Sequence, residues 1–181
     1  MTQFDNDSKQ KTFHPLYLVV SIFMWLIVVA WMAVIFSLSS ETGVESANRA
    51  ASFATQVNQT TTLSFGSEVI RLAAHVFEYT ILAGFSYIAL FTTNHISKDY
   101  AYKENADKKL KTNNEMYISF TLWIVAFFAV SDEYHQLFVN GREGSVLDCV
   151  IDFAGPILLM VIIRIIVSVR MVLEKKKNIV A

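Results

Sequence analysis

Three short stretches hold the side chains that could do chemistry. Arg71, His75, Glu78 and Tyr79 fall within RLAAHVFEY, Asp132, Glu133, His135 and Gln136 within SDEYHQ, and Ser145, Asp148 and Asp152 within SVLDCVID. At about 100° per helical residue, Arg71, His75 and Glu78 share one stripe, with Tyr79 beside them. Asp132, His135 and Gln136 share a second stripe, from which Glu133 is turned about 100° away. Ser145, Asp148, Asp152 and Gly155 form a third. An imidazole exchanges protons near neutral pH, and a neighbouring carboxylate orients or activates it. Candidate catalytic residues are therefore His75, Glu78, Asp132, Glu133 and His135. Arg71 and Arg142 can hold a phosphate or carboxylate through paired hydrogen bonds. Tyr79, Gln136, Ser145, Asp148 and Asp152 complete the candidate binding surface.

These stretches need apolar elements to carry them. The 181-residue chain is 54% hydrophobic and 17% charged, with 14 Phe and 3 Trp. Soluble domains average about 25% charged residues, so the composition argues against an ordinary water-soluble globule. The formal net charge of −1 supplies no basic field for nucleic acid. The single Cys149 excludes an intrachain disulfide framework and a thiolate zinc cluster.

A bilayer core of about 30 Å needs roughly 20 mostly apolar helical residues. Four segments qualify, at about 16–38, 69–91, 116–138 and 147–170. The first has no charged residue and is longer than the apolar core of a cleaved signal, so it reads as a retained span. The run Met116–Val130 rises only roughly 22 Å as a helix and must continue through SDEYHQ to cross. Likewise, the fourth span must carry Asp152 and Arg164, with Arg164 snorkelling toward headgroups and Pro156 bending the helix. The expectation is an all-α, four-transmembrane-helix bundle over 16–172, between an N-terminal tail at 1–15 and a C-terminal tail at 173–181.

Lysines and arginines orient it. They concentrate in the N-terminal tail (Lys9, Lys11), the loop after the second span (Lys98 to Lys111) and the C-terminal tail (Lys175 to Lys177). Both tails and that loop are expected to be cytoplasmic. The loop mixes acids with its lysines and reads as a solvated linker. The outward loop 39–68 carries Val44, Ala47, Ala51, Ala54 and Val57 at helical spacing, which suggests a short interfacial helix. With this orientation, every acid and His of the three stripes lies near the outer leaflet. Facing lipid, each Asp would cost about 2.5–3.5 kcal/mol, so the stripes are expected to face one another around a polar, outward-open pocket.

Several functions suit such a pocket. It can hydrolyse or transfer a group on a lipid-linked or amphiphilic molecule. It can bind or carry a lipid or antibiotic tail without chemistry. It can also be purely structural, His75 and Glu78 pairing to lock two helices. The cofactor is unknown: His75 and Glu78, Glu133 and His135, Asp148 and Asp152 offer nitrogen and oxygen ligands for a divalent metal, but His-x-x-Glu is a frequent spacing and a metal is not favoured. Expected partners are membrane lipids and an amphiphilic small molecule. His14, His95 and Cys149 receive no role.

FSLSSETGVES, RLAAHVFEY and SDEYHQLFVNGREGSVLDCVIDFAG together resemble the VanZ-like membrane family, from Phe36 to Gly155. The resemblance adds Ser39 and Ser40 to the candidate binding residues, and it repeats Arg71, His75, Glu78, Tyr79, Asp132, Glu133, His135, Gln136, Arg142, Ser145, Asp148 and Asp152. The chain departs from the family pattern at Leu72, where the family often has Lys, and at Val76, where it often has Phe. The resemblance implies a small multi-pass protein of the bacterial cell membrane, in a family whose named member is associated with low-level teicoplanin resistance.

Overall fold

The computed structural model describes residues 11–61, 64–99 and 106–180. Its helices are α1 (Pro15–Ser39), α2 (Gly43–Thr60), α3 (Ser67–Asn94), α4 (Ala106–Gln136) and α5 (Val146–Val180). Two three-residue strands, β1 (Lys11–Phe13) and β2 (Ser97–Asp99), pair antiparallel with Lys11 opposite Asp99. Segments Pro15–Ser39, Ser67–Asn94, Leu110–Gln136 and Val146–Lys177 are long and apolar enough to cross a bilayer. Hydrocarbon offers no partner to backbone N–H and C=O groups, so even β-branched runs such as Ile27–Val29 in α1 are held helical.

The architecture is the all-α membrane bundle that hydropathy predicts, with different element ends. Helix α4 starts well before 116 and stops at Gln136 rather than 138. Helix α5 continues through Lys175–Lys177 to Val180, where a separate tail was expected. Most of the expected N-terminal tail (1–10), residues 100–105 of the lysine-rich loop and Ala181 lie outside the described residues. Arg164 does not simply snorkel: it pairs with Glu115 on α4 at 2.9 Å.

Helix α3 is the hub, packing against α1, α2, α4 and α5. Its inward face presents Tyr79, Leu82, Ala83, Ser86 and Ala89. Ile35 and Val28 of α1, Val125 and Ala129 of α4, and Met160 of α5 close the core around it. Small side chains let helices approach where lipid gives no hydrophobic drive for association. Helices α3 and α5 approach closely at Gly155, where an added Cβ would lie 2.8 Å from the Val76 carbonyl oxygen and against Thr80.

Helix α2 forms where the apolar spacing suggested, and Ser46 and Ala50 join Ala54 of the expected set in packing it on α3. Ser46, Ala50 and Ala54 are buried, while Val44 is 71% exposed and Ala47 and Ala51 are also outside. Close packing on α3 selects small residues rather than the most apolar ones. A capping box starts α2: the Glu45 amide donates to Thr42 Oγ1, and the Thr42 amide donates to Glu45 Oε2 at 2.9 Å.

One end of the bundle gathers the C-termini of α1 and α4 and the N-termini of α3 and α5. The β1–β2 pair closes the other end, where the His14 amide also donates to the Ile96 carbonyl.

Candidate functional site

The sequence-predicted polar residues all lie at the first of these ends, but they divide into separate groups. The first group is a knot. Asp132 Oδ2 receives Ser39 Oγ from α1 at 2.7 Å, Tyr79 Oη from α3 at 3.3 Å and Gln136 Nε2 from its own helix at 3.2 Å. Asp132 is 1% exposed and Tyr79 fully buried. Three donors from three helices on one oxygen make Asp132 a fastening point.

Glu133, turned away from that stripe, fastens a loop. Its Oε2 accepts the Ser145 amide at 2.8 Å. Ser145 in turn caps α5, its Oγ accepting the Leu147 amide. Two carboxylates adjacent in sequence thus serve different neighbours because they point about 100° apart.

His135 forms a third group with α1. Its Nε2 is 3.0 Å from Ser40 Oγ, and its ring stacks on Phe36 with centroids 4.1 Å apart. The pocket was expected to collect both histidines. The structure places His135 on the α1 side and His75 between α3 and α5.

The fourth group is a polar cavity of about 550 Å³. His75, Asp152, Arg71, Arg142, Ser145 and Asp148 contribute to its wall, with Gln136 at the edge next to the knot. His75 Nδ1 lies 3.5 Å from Asp152 Oδ1, an ion-pair distance without a closed hydrogen bond. His75 Nδ1 and both Asp152 oxygens are buried without a hydrogen-bond partner among the described residues. Each such group costs about 1–3 kcal/mol when unpaired. Pro156 adds to this, since it lacks the N–H that would bond the Asp152 carbonyl one turn back.

Behind His75 is a fifth group, a mainly apolar cavity of about 590 Å³ between the end of α1, α2 and the start of α3. Glu78 lies here rather than in the polar cavity. Arg71, His75 and Arg142 belong to both cavities. Arg49 of α2 stands in this wall and pairs with Glu41 at 2.9 Å.

Among the described residues, Arg142 does not meet a carboxylate. Its Nε donates to the Glu41 carbonyl at 3.1 Å and its Nη2 to the Leu38 carbonyl at 3.5 Å, so it caps the C-terminus of α1. Gly141, at φ 72°, makes the turn that aims it there. Burial, and then the charges of Arg71 and Arg49, push the Arg142 guanidinium below the usual arginine pKa. Arg71 pairs with Glu68 one turn before it, at 2.9 Å and largely exposed.

Among the described residues, no group of three or more His, Cys, Asp and Glu side chains is arranged to hold a metal ion. The ligand set offered by sequence is dispersed, with His75 beside Asp152, Glu78 in the apolar cavity, Glu133 on Ser145 and His135 on Ser40.

Four apolar spans enclosing buried carboxylates at one end define a multi-pass membrane protein. A family model described as VanZ/LLP1 matches residues 23–167, most of the chain, and the chain belongs to that family. No curated protein and no solved structure matches it.

Proposed function

We propose that this VanZ-family protein binds the anionic head of an amphiphilic, cell-envelope molecule in the polar cavity, and that His75 and Asp152 carry out proton transfer on it. The observation behind this reading is the His75–Asp152 pair itself, a half-buried imidazole 3.5 Å from a buried carboxylate with no closed hydrogen bond, in a wall that holds Arg71 and Arg142 among the acids Glu68, Glu143 and Asp148. Asp152 orients the imidazole through Nδ1, leaving Nε2 to take a proton from a nucleophilic water or hydroxyl. As the new bond to phosphorus or carbonyl carbon forms, the bond to the leaving oxygen breaks. The proton on Nε2 then passes to that oxygen. Arg71 and Arg142 balance the charge that gathers on the head.

By the excess of basic residues at the other end, the cavity end faces out of a bacterial cell and both termini face the cytoplasm. An envelope amphiphile at the outer leaflet suits a contribution to glycopeptide resistance of the teicoplanin type. The test compares cells producing the wild type, His75→Gln and Asp152→Asn at matched membrane levels. Loss of protection in both variants is expected, and full protection in both overturns the reading.

The apolar cavity next door favours a second reading, in which the protein binds or carries an amphiphile without altering it. Retention of an amphiphile and of protection by the His75→Gln protein selects that reading over chemistry.

A further inference from the structure

The two cavities are neighbours, not duplicates. One is walled by His75, Asp152, Asp148 and Ser145, the other by Leu38, Ala50, Phe53, Ile70 and Phe77. Arg71, His75 and Arg142 are their shared wall. Each volume falls in the range of about 300–1,000 Å³ typical of small-molecule sites. From Ile70 to Glu78, the α3 wall of the apolar cavity is about 12 Å long as a helix. One leaflet's hydrocarbon is about 15 Å deep, so the cavity accommodates most of a chain's descent through it.

We infer that the apolar cavity seats an acyl chain whose anionic head, on the same molecule, lies across Arg71 and Arg142 into the polar cavity. The inference rests on the headgroup reading of the polar cavity and adds where the rest of the ligand goes. Charge complementarity commits the occupant: the apolar wall carries Arg49, Arg71 and Arg142 against one lining acid, Glu78, and although Arg49 and Arg71 are paired to Glu41 and Glu68, the cationic excess matches an apolar chain ending in an anion better than a neutral lipid. Of the three, Arg142 has only backbone carbonyls as described hydrogen-bond partners, so its charge is not cancelled by a carboxylate contact. The contact of Gly43 with Gly141 holds the roof of the chain seat to the loop that carries Arg142. The Gly43 amide donates to the Asn140 carbonyl at 3.1 Å, which fixes that junction. Two glycines meet there because a Cβ on Gly43 would collide with the Gly141 carbonyl.

The test uses the full chain in phosphatidylcholine nanodiscs with a long-chain alkyl phosphate bearing a diazirine near the chain end. Photolabelling at Ala50, Phe53 or Phe77 is expected, competed by unlabelled alkyl phosphate and not by the alcohol of equal length. Ala74→Trp, a substitution at an exposed position in the apolar wall, is expected to reduce that labelling at least tenfold. A second readout is shielding of Glu143→Cys, in a Cys149→Ser background, from a thiol reagent by the alkyl phosphate, since Glu143 lines only the polar cavity. Labelling confined to the lipid face of α5, at Ile157 and Ile165, with shielding intact, overturns the chain seat and leaves the headgroup reading standing. Equal labelling of the cavity by an alcohol probe, without shielding, overturns the headgroup reading and this inference with it.

Discussion

Asp152 Oδ1 on α5 stands 3.5 Å from His75 Nδ1 on α3, and the two belong to helices that touch one turn away, at Gly155. The pair is therefore placed by backbone packing rather than by its own hydrogen bonds. Asp152 is 1% exposed and neither of its oxygens has a hydrogen-bond partner among the described residues. Such a group is a liability to folding and stands here beside an imidazole.

Gly155→Ala should disturb this placement without touching either side chain. The new methyl would press on Thr80 and come within 2.8 Å of the Val76 carbonyl oxygen. Overpacking of this kind costs about 1–3 kcal/mol and forces α3 and α5 apart. A lower thermal midpoint in detergent and loss of protection should appear together, whereas Gly84→Ala, whose nearest neighbour is a Leu159 methyl at 3.8 Å, should lower neither appreciably.

The knot at Asp132 makes the opposite prediction. Asp132→Ala strands the hydroxyls of Ser39 and Tyr79 and the Gln136 amide in the core. A loss of about 2–4 kcal/mol is expected, given about 1–3 kcal/mol for a buried polar group left unpaired. Tyr79→Phe removes one donor and should cost about 1 kcal/mol. Equilibrium unfolding in detergent measures both, and an Asp132→Ala protein as stable as the wild type would show that the knot fastens nothing.

The cap of α2 should be sensitive to acid. The Thr42 amide and hydroxyl hold the Glu45 carboxyl below its ordinary value of 4.5. A depressed folded pKa means that the cap's contribution is complete above the ordinary value and is lost as pH falls through the lower, folded one. Hydrogen exchange in the first turn of α2 should stay flat from neutral pH down to about that ordinary value and accelerate, relative to its intrinsic rate, below it. Glu45→Gln should remove the pH step and leave the turn less protected at neutral pH.

Orientation is open to direct chemistry. Glu143→Cys in a Cys149→Ser background should react with a membrane-impermeant thiol reagent added to intact cells. The cysteine of Lys176→Cys, on the last turns of α5 at the opposite end, should react only after the membrane is breached. The reverse pattern would place the cavity on the cytoplasmic side.

Much of this architecture is legible in the sequence because a bilayer imposes a simple rule: long uncharged runs become helices. The concentration of His and acid at one end is legible for the same reason, since each span must hold its charges near a margin. The partition of that end is not. Asp132 and His135 share a stripe three residues apart, yet one faces the core and the other faces Ser40, because helix rotation splits a stripe about 60° wide between two neighbours. The carbonyls that Arg142 caps lie 101 and 104 residues away in the chain, beyond any local pattern. The protein-facing side of α2 is not legible either, since close contact with α3 selects Ser46 and Ala50, which hydropathy does not mark.

The division between the two histidines supplies the sharpest test. Cells producing His75→Gln or His135→Gln at equal membrane levels are compared for protection across a glycopeptide dose series. General acid–base catalysis contributes about 10²–10⁴-fold, so the account predicts that His75→Gln abolishes protection while His135→Gln, displaced from the cavity onto Ser40 and Phe36, keeps most of it. Undiminished protection by His75→Gln, or equal loss in the two variants, would contradict it.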